Sequence, residues 1–485
     1  MAAYGIMMRS GHHSFSPLDQ ALTPMLRARV LNLLPVLIGL SAIPLSFLAA
    51  EGLVEKKRMA LMLVLAVVAA GIAVLTISLG PEKIFVAWLF FAPLLQNSAR
   101  FSSAGHRLSQ VVYTLPPLLF LFWALINRNR PRATLLDLLP FLYAGLAVTS
   151  YLLTRGPGSD ASMHSILTTV GFGAAGYYFC AYGPVGRRFG ERLVEAFLAS
   201  VVVLDVMTCV EAVSGWNLWG ETEWHAHYSR SVATLDNPAV LGTVLAAAIV
   251  VAIIVVFWDG PQRLRTLSIV AGLGAMPAIV VTYTRGPFLG LFAAAIPLLL
   301  LRRTIRVKAA LVLAVSGFAF YFAWASFAGT SLYQQRVANG ATVETRVVIQ
   351  QWSFKLAREK PILGWGYGSF DQVKNAQTFL GTTGQDQKLG RGSTSHDSFL
   401  TILVETGIVG LLIYLVPWAA LLARGFERAR TPSPDRWLLL VGLTIPVVYG
   451  LSAATFDMRF FSYAQVLPWL ALGLIRRVTR DVPAA

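Results

Sequence analysis

The chain of 485 residues is long enough for two or three soluble domains, yet its composition excludes them. Apolar residues make up 56% and charged residues 13%, against roughly 25% charged in a soluble domain, and the mean hydropathy is +0.62. So few polar groups cannot clothe a water-facing surface, which leaves an all-α polytopic integral membrane protein. About 14 helices of ~20 residues would take roughly 280 residues, so the length accommodates 12–14 spans. Forty Lys and Arg against 24 Asp and Glu give a formal charge of +16. In such a chain that surplus is read first as cytoplasmic loop charge and not as a nucleic-acid surface.

An N-terminal arm, 1–29, holds His12 and His13. Apolar runs follow near 30–49, 59–79, 84–96, 111–126, 135–153, 161–182, 193–213, 238–257, 266–283, 286–301 and 307–328, giving a bundle over 30–328 of about 11 spans. The first run is too long for a signal-peptide core and lacks a small-residue cleavage site, so it reads as an uncleaved span. The 84–96 run is short enough to be a partial span. Cys180 and Cys209 lie inside apolar runs and fit neither a disulfide framework nor a zinc spacing. His225 and His227 form an i, i+2 pair with no third ligand close in sequence, so a metal site is not expected.

A long connection over 329–397 interrupts the short-loop pattern, and long ordered loops in compact proteins usually carry function. Within it Val348, Ile349, Trp352 and Leu356 recur at near-helical spacing, with Arg346, Gln350 and Lys355 between them, which predicts an amphipathic helix on the membrane surface. PILGWGYGSF, residues 361–370, has glycines but no phosphate-binding frame and reads as a turn with tight backbone positions. Three spans occupy 398–475 and a tail 476–485 follows.

Loop charges orient the chain. Arg128, Arg130 and Arg132, then Arg187, Arg188 and Arg192, then Arg263 and Arg265, then Arg302, Arg303, Arg306 and Lys308, then Arg424, Arg428, Arg430 and Arg436, and finally Arg476, Arg477 and Arg480 mark one side as cytoplasmic. The other side carries single charges, Arg155, Arg230, Arg285 and Arg459, and the long loop. Lys56, Lys57 and Arg58 fit this alternation badly. TRGP occurs at Thr154–Pro157 and Thr284–Pro287, but the surrounding sequences do not extend the repeat.

The chemistry-bearing residues fall on the poor side. Arg285 sits at a tight junction between two apolar runs, where a lone guanidinium is costly unless it snorkels or meets an anion. Arg230 precedes Asn237–Pro238, a helix start, and Arg346 opens the amphipathic segment. His396 and Asp397 end the long loop, with Asp397 or Ser398 as the helix N-cap. Glu405 follows about two turns into that helix, either as a buried partner for an arginine or in a catalytic role, and Gly407 and Gly410 allow close packing below it. Asp137, Glu195, Asp205 and Glu211 also fall in or near spans and keep a transporter reading open.

Three pieces resemble the O-antigen ligase and O-antigen polymerase superfamily of membrane glycosyltransferases. TYTRGPFLGL is similar to its T-x-S-R-G element, Arg346 through PILGWGYGSF to its R…W…G-x-G-x-G-x-F segment, and His396 to Gly410 to its H-[NSQ]-x9-G-x-x-G element. Asp397 departs from that last pattern, and a carboxylate there would favour the imidazolium of His396 or orient its ring. The resemblance implies an inner-membrane enzyme with its site on the periplasmic face, using an undecaprenyl-diphosphate-linked oligosaccharide donor without metal or cofactor. It implies His396 as base and Arg285, with Arg230 and Arg346, as diphosphate ligands, because guanidinium forks match phosphate oxygens and histidine titrates near neutrality. The acceptor is another lipid-linked glycan in a polymerase of O-antigen or exopolysaccharide, or lipid A core in a ligase. A lipid-linked glycan flippase, or an assembly partner in polysaccharide export machinery, are the readings of other classes.

Overall fold

A computed structural model describes residues 80–96, 112–113, 119, 134–154, 166, 170–183, 187–218, 230–258, 260–301, 303–311, 314, 328, 341–373, 395–459 and 461–480. The N-terminal arm, the first two apolar runs, Arg155, both histidine pairs, most of 307–328 and the middle of the long loop lie outside the described residues. The chain divides into two units, Met1–Ile84 and Phe85–Ala485, and the packing described below lies within the second.

Every regular element among the described residues is helical: α1 Pro81–Leu95, α2 Leu135–Thr154, α3 Phe172–Tyr182, α4 Arg187–Ser214, α5 Pro238–Phe257, α6 Gln262–Val280, α7 Arg285–Ala293, α8 Ala295–Leu299, α9 Ala341–Glu359, α10 Ser398–Ala429, α11 Arg436–Ala453 and α12 Ser462–Thr479. Six of these, α2, α4, α5, α6, α10 and α11, are long and apolar enough to cross a membrane. The protein is an all-α polytopic membrane protein. α5 shows the sequence logic most plainly. Asn237 accepts from the Ala239 amide at 2.8 Å, Pro238 occupies the first helical position where its missing N–H is not needed, and an uninterrupted apolar run follows.

The expected run at 286–301 is divided into α7 and α8, with Ala294 between them. α10 is two helical segments that meet at a break at Gly407, whose φ of 66° is left-handed. α12 is buried along its length against α3, α10 and α11. At Gly473 it lies so close to α3 that a Cβ would stand 2.7 Å from the Tyr177 carbonyl oxygen, the small-residue contact by which helices meet without a hydrophobic driving force in lipid.

The C-terminal end of α12 carries a buried polar knot. Asp137, fully buried in the first turn of α2, accepts from Arg476 Nε at 2.9 Å and Nη2 at 3.0 Å, from the Tyr177 and Tyr182 hydroxyls at 2.6 and 2.5 Å, and from Thr134. Arg477 Nε donates to the Cys180 carbonyl at 2.8 Å. These arginines, read from sequence only as orienting charges, also fasten the helix end to its neighbours.

Candidate active site

At the opposite end of α12 the ends of several helices converge. The first is the turn after α6. Thr282 and Thr284 share a hydroxyl–hydroxyl hydrogen bond of 2.7 Å, and Tyr283 takes a left-handed φ of 49°, which reverses the chain and starts α7 with Arg285 exposed at its N-terminus. Arg230 grips this turn from outside: Nε donates to the Thr282 carbonyl at 2.9 Å and Nη2 to the Tyr283 carbonyl at 3.3 Å. The loop after Arg230 is held by Glu211 of α4, fully buried, whose Oε2 accepts the Val232 and Ala233 amides at 2.9 and 2.7 Å. Glu211 is thus a loop anchor at the end of its helix.

Arg346 is brought close to Arg285 by α9. Burial, and then the positive field of Arg285, hold the Arg346 guanidinium below its ordinary pKa. Among the described residues Arg346 Nε is buried without a hydrogen-bond partner. Two like charges held together, one partly desolvated, raise the energy of the free protein and make the corner attractive to an anion.

His396 adopts a left-handed φ of 54°, uncommon outside glycine, in the last turn before α10. Its ring lies 6.2 Å from that of Phe456. Asp397 is the N-cap: Oδ1 accepts the Phe399 and Leu400 amides at 2.9 and 3.0 Å. Burial holds the Asp397 carboxyl above its ordinary range, against the opposing pull of those two amides. The carboxylate therefore faces the helix start, a task that Asn or Ser performs equally well.

Beneath His396 lies a cluster that sequence reading only half anticipated. Glu405 pairs with Arg459, and Arg459 also grips Asp457, with Nε to Oδ1 and Nη2 to Oδ2 both at 2.9 Å; all three residues are buried. Glu405 is thus the buried partner of an arginine, and the arginine comes from the α11–α12 connection. Asp457 escaped notice altogether. The available signal was two charges spaced i, i+2 in a short connection between apolar runs. The same connection bonds to the start of α10, where Ser398 Oγ accepts the Met458 amide at 2.8 Å and donates to the Phe456 carbonyl at 3.3 Å. On its other side it touches α7: a Cβ at Gly286 would collide with Thr455 Oγ1. Residues 454–459 therefore join the helix of Arg285 to the helix that His396 precedes.

The glycine turn 361–368 closes the cluster. Its backbone docks directly on the broken backbone of α10: the Trp365 and Gly366 amides donate to the Val404 and Glu405 carbonyls at 2.9 and 2.8 Å, and the Ile408 amide donates to the Pro361 carbonyl at 2.8 Å. Gly364 and Gly407, at φ of 72° and 66°, are reciprocal: a Cβ on Gly364 would collide with Glu405 and one on Gly407 with Ile362. The Phe370 amide adds a bond to Glu405 Oε1 at 3.2 Å. Gly410 lies one turn below, facing Thr406 and Leu146. Among the described residues no group of three His, Cys, Asp or Glu side chains is gathered so as to hold a metal.

Residues 270–415 match the family model Wzy_C, O-Antigen ligase. Over these residues the chain is similar to the O-antigen ligase family. The matched stretch takes in the Arg285 turn, Arg346, the glycine turn and the start of α10, and supports a membrane enzyme that transfers lipid-linked glycan. No curated protein matches the chain. Asp457 and Arg459 fall beyond the ligase family match, on a connection that the fold folds back against it.

Proposed function

We propose that the protein is a periplasm-facing glycosyltransferase of the inner membrane that polymerises an undecaprenyl-diphosphate-linked oligosaccharide of an O-antigen or exopolysaccharide. The observation that carries the reading is the pairing of Arg285 with the partly buried Arg346, a like-charge arrangement that an anion between them relieves. A lipid diphosphate is such an anion, and guanidinium forks suit its oxygens. Arg230 fixes the turn that presents Arg285 and adds its own charge.

In the proposed reaction an acceptor hydroxyl oxygen attacks the anomeric carbon from the face opposite the diphosphate. Its proton passes to His396 as the new C–O bond forms. The old C–O bond breaks, its electron pair leaving on the diphosphate oxygen under Arg285 and Arg346. One displacement inverts the anomeric centre. Glu405, Arg459 and Asp457 hold the floor on which His396 stands, and Gly407 and Gly410 shape the helix below.

The similarity to O-antigen ligases favours a second reading, ligation of the glycan to lipid A core. Purified protein in liposomes with lipid-linked repeat decides between them. A ladder of longer lipid-linked products supports the polymerase; product only after addition of lipid A core supports the ligase. Movement of the glycan across the bilayer with no new glycosidic bond points to the flippase and sinks both. Full transfer by correctly inserted His396→Ala and Arg285→Ala proteins overturns the catalytic roles given to these two residues.

A further inference from the structure

The turn joining α9 to the glycine loop has an outward side that the reaction does not use. Ile362 and Leu363 are 63% and 62% exposed, and Phe354 on α9 is 54% exposed. Arg358 and Lys360 precede them, both exposed with Glu359 between, and Lys360 Nζ lies 4.0 Å from the centre of the Trp365 ring. An apolar pair beside cations is the residue set found where protein meets the boundary between headgroups and acyl chains, the cations reaching the headgroups while the apolar side chains stay below.

Position in the fold says what covers this pair. The Pro361 and Ile362 carbonyls accept from the Ile408 and Val409 amides, so the turn is fixed to α10 directly beneath its break. From that level downward α10 shows an outward stripe of Ile408, Leu412 and Val416, all exposed and one helical turn apart, as a lipid-facing stripe must be. Ile362 and Leu363 stand at the top of that stripe. A hydrocarbon layer of ~30 Å takes about 20 helical residues, with a lower limit of about 17, and the segment from the break at Gly407 to Ala423 meets that lower limit. The break frees backbone groups at the edge of the hydrocarbon, where each must find a partner within the protein, and the turn supplies them.

We propose that Ile362 and Leu363 insert into the acyl chains of the leaflet on the His396 side, with Arg358 and Lys360 on its phosphate headgroups, so that the bilayer itself sets the height of α9. The insertion stands apart from the catalytic reading. Its consequence, that Arg346 at the other end of α9 is held level with lipid phosphates, rests on that reading.

The test uses the full chain in lipid nanodiscs, in a Cys209→Ser background, with an environment-sensitive fluorophore on Leu363→Cys. Leu412→Cys serves as the lipid-exposed reference and Gln351→Cys as the reference on α9. Acyl-brominated phospholipids should quench the Leu363 site within about two-fold of the Leu412 site and the Gln351 site far less. Quenching by aqueous iodide without quenching by bromolipid overturns the proposal. So does bromolipid quenching that disappears when a polyprenyl diphosphate is added, which would assign the surface to a substrate tail. Ile362→Cys provides the same readout should the Leu363 variant fold poorly. Because nothing here depends on turnover, an inactive but normally quenched protein would fault the catalytic reading and leave the anchor standing.

Discussion

The two ends of α12 each bury an arginine, and they are built differently. At the C-terminal end Arg476 meets a single carboxylate, Asp137, whose remaining capacity is filled by two tyrosines and a threonine, all side chains on or beside regular helices. At the N-terminal end Arg459 meets two carboxylates, Glu405 and Asp457, and the cluster is completed by loop backbone at Phe370. The first is formally neutral and self-contained. The second keeps one negative charge in excess and is assembled from a broken helix and two connections. A closed, neutral knot serves packing. An open one built from loops beneath a residue of left-handed φ is the arrangement expected of a site, where local regularity is given up for placement.

This contrast can be broken most forcefully at the arginines. Arg459→Ala and Arg476→Ala each strand buried carboxylate, and each should cost about 3–5 kcal/mol, read as a fall in thermal midpoint in detergent. Equal losses of stability with equal losses of activity per folded molecule would erase the distinction; the expected result is that only Arg459→Ala also disables the folded fraction. His396→Ala should lower glycan transfer by roughly 10²–10⁴-fold with an unchanged thermal midpoint, separating the residue above the cluster from the cluster itself. Gly407→Ala forces a side chain into the docked turn and should cost about 1–3 kcal/mol from backbone conformation alone, measurable as increased proteolysis of the 361–370 segment. The smallest effect belongs to the cap. Asp397→Ala should cost ~1 kcal/mol, whereas Asp397→Asn should change both stability and transfer rate little. A large loss of rate in Asp397→Asn, with the fold intact, would restore to this carboxylate a direct part in tuning His396.

Much of the architecture was legible because lipid imposes a simple grammar: Asn237–Pro238 starts a helix, an apolar run continues it, and a cationic loop ends it. The site was legible in pieces. Arg285, Arg346, His396 and the glycine turn could each be singled out by residue type and setting. Their mutual placement could not, because the partners lie far apart in sequence. Glu405 could be suspected of having an arginine partner, but nothing local pointed 54 positions onward to Arg459. Arg230 carried the signal of a loop charge, and only the folded turn shows it on the Thr282 and Tyr283 carbonyls. Glycines at 364 and 407 announced tight backbone without saying that each was made for the other.

That reciprocal joint has a bearing on how the chain can vary. Because it is made by main chain on both sides, changes to the side chains around it leave its hydrogen bonds in place, while its register admits no slack. A single residue inserted between Pro361 and Gly366, or deleted there, would offset every amide from its carbonyl on α10 at once. Scanning insertions through the long loop should therefore meet a forbidden window at 361–366, more sharply bounded than any pattern of point substitutions would draw.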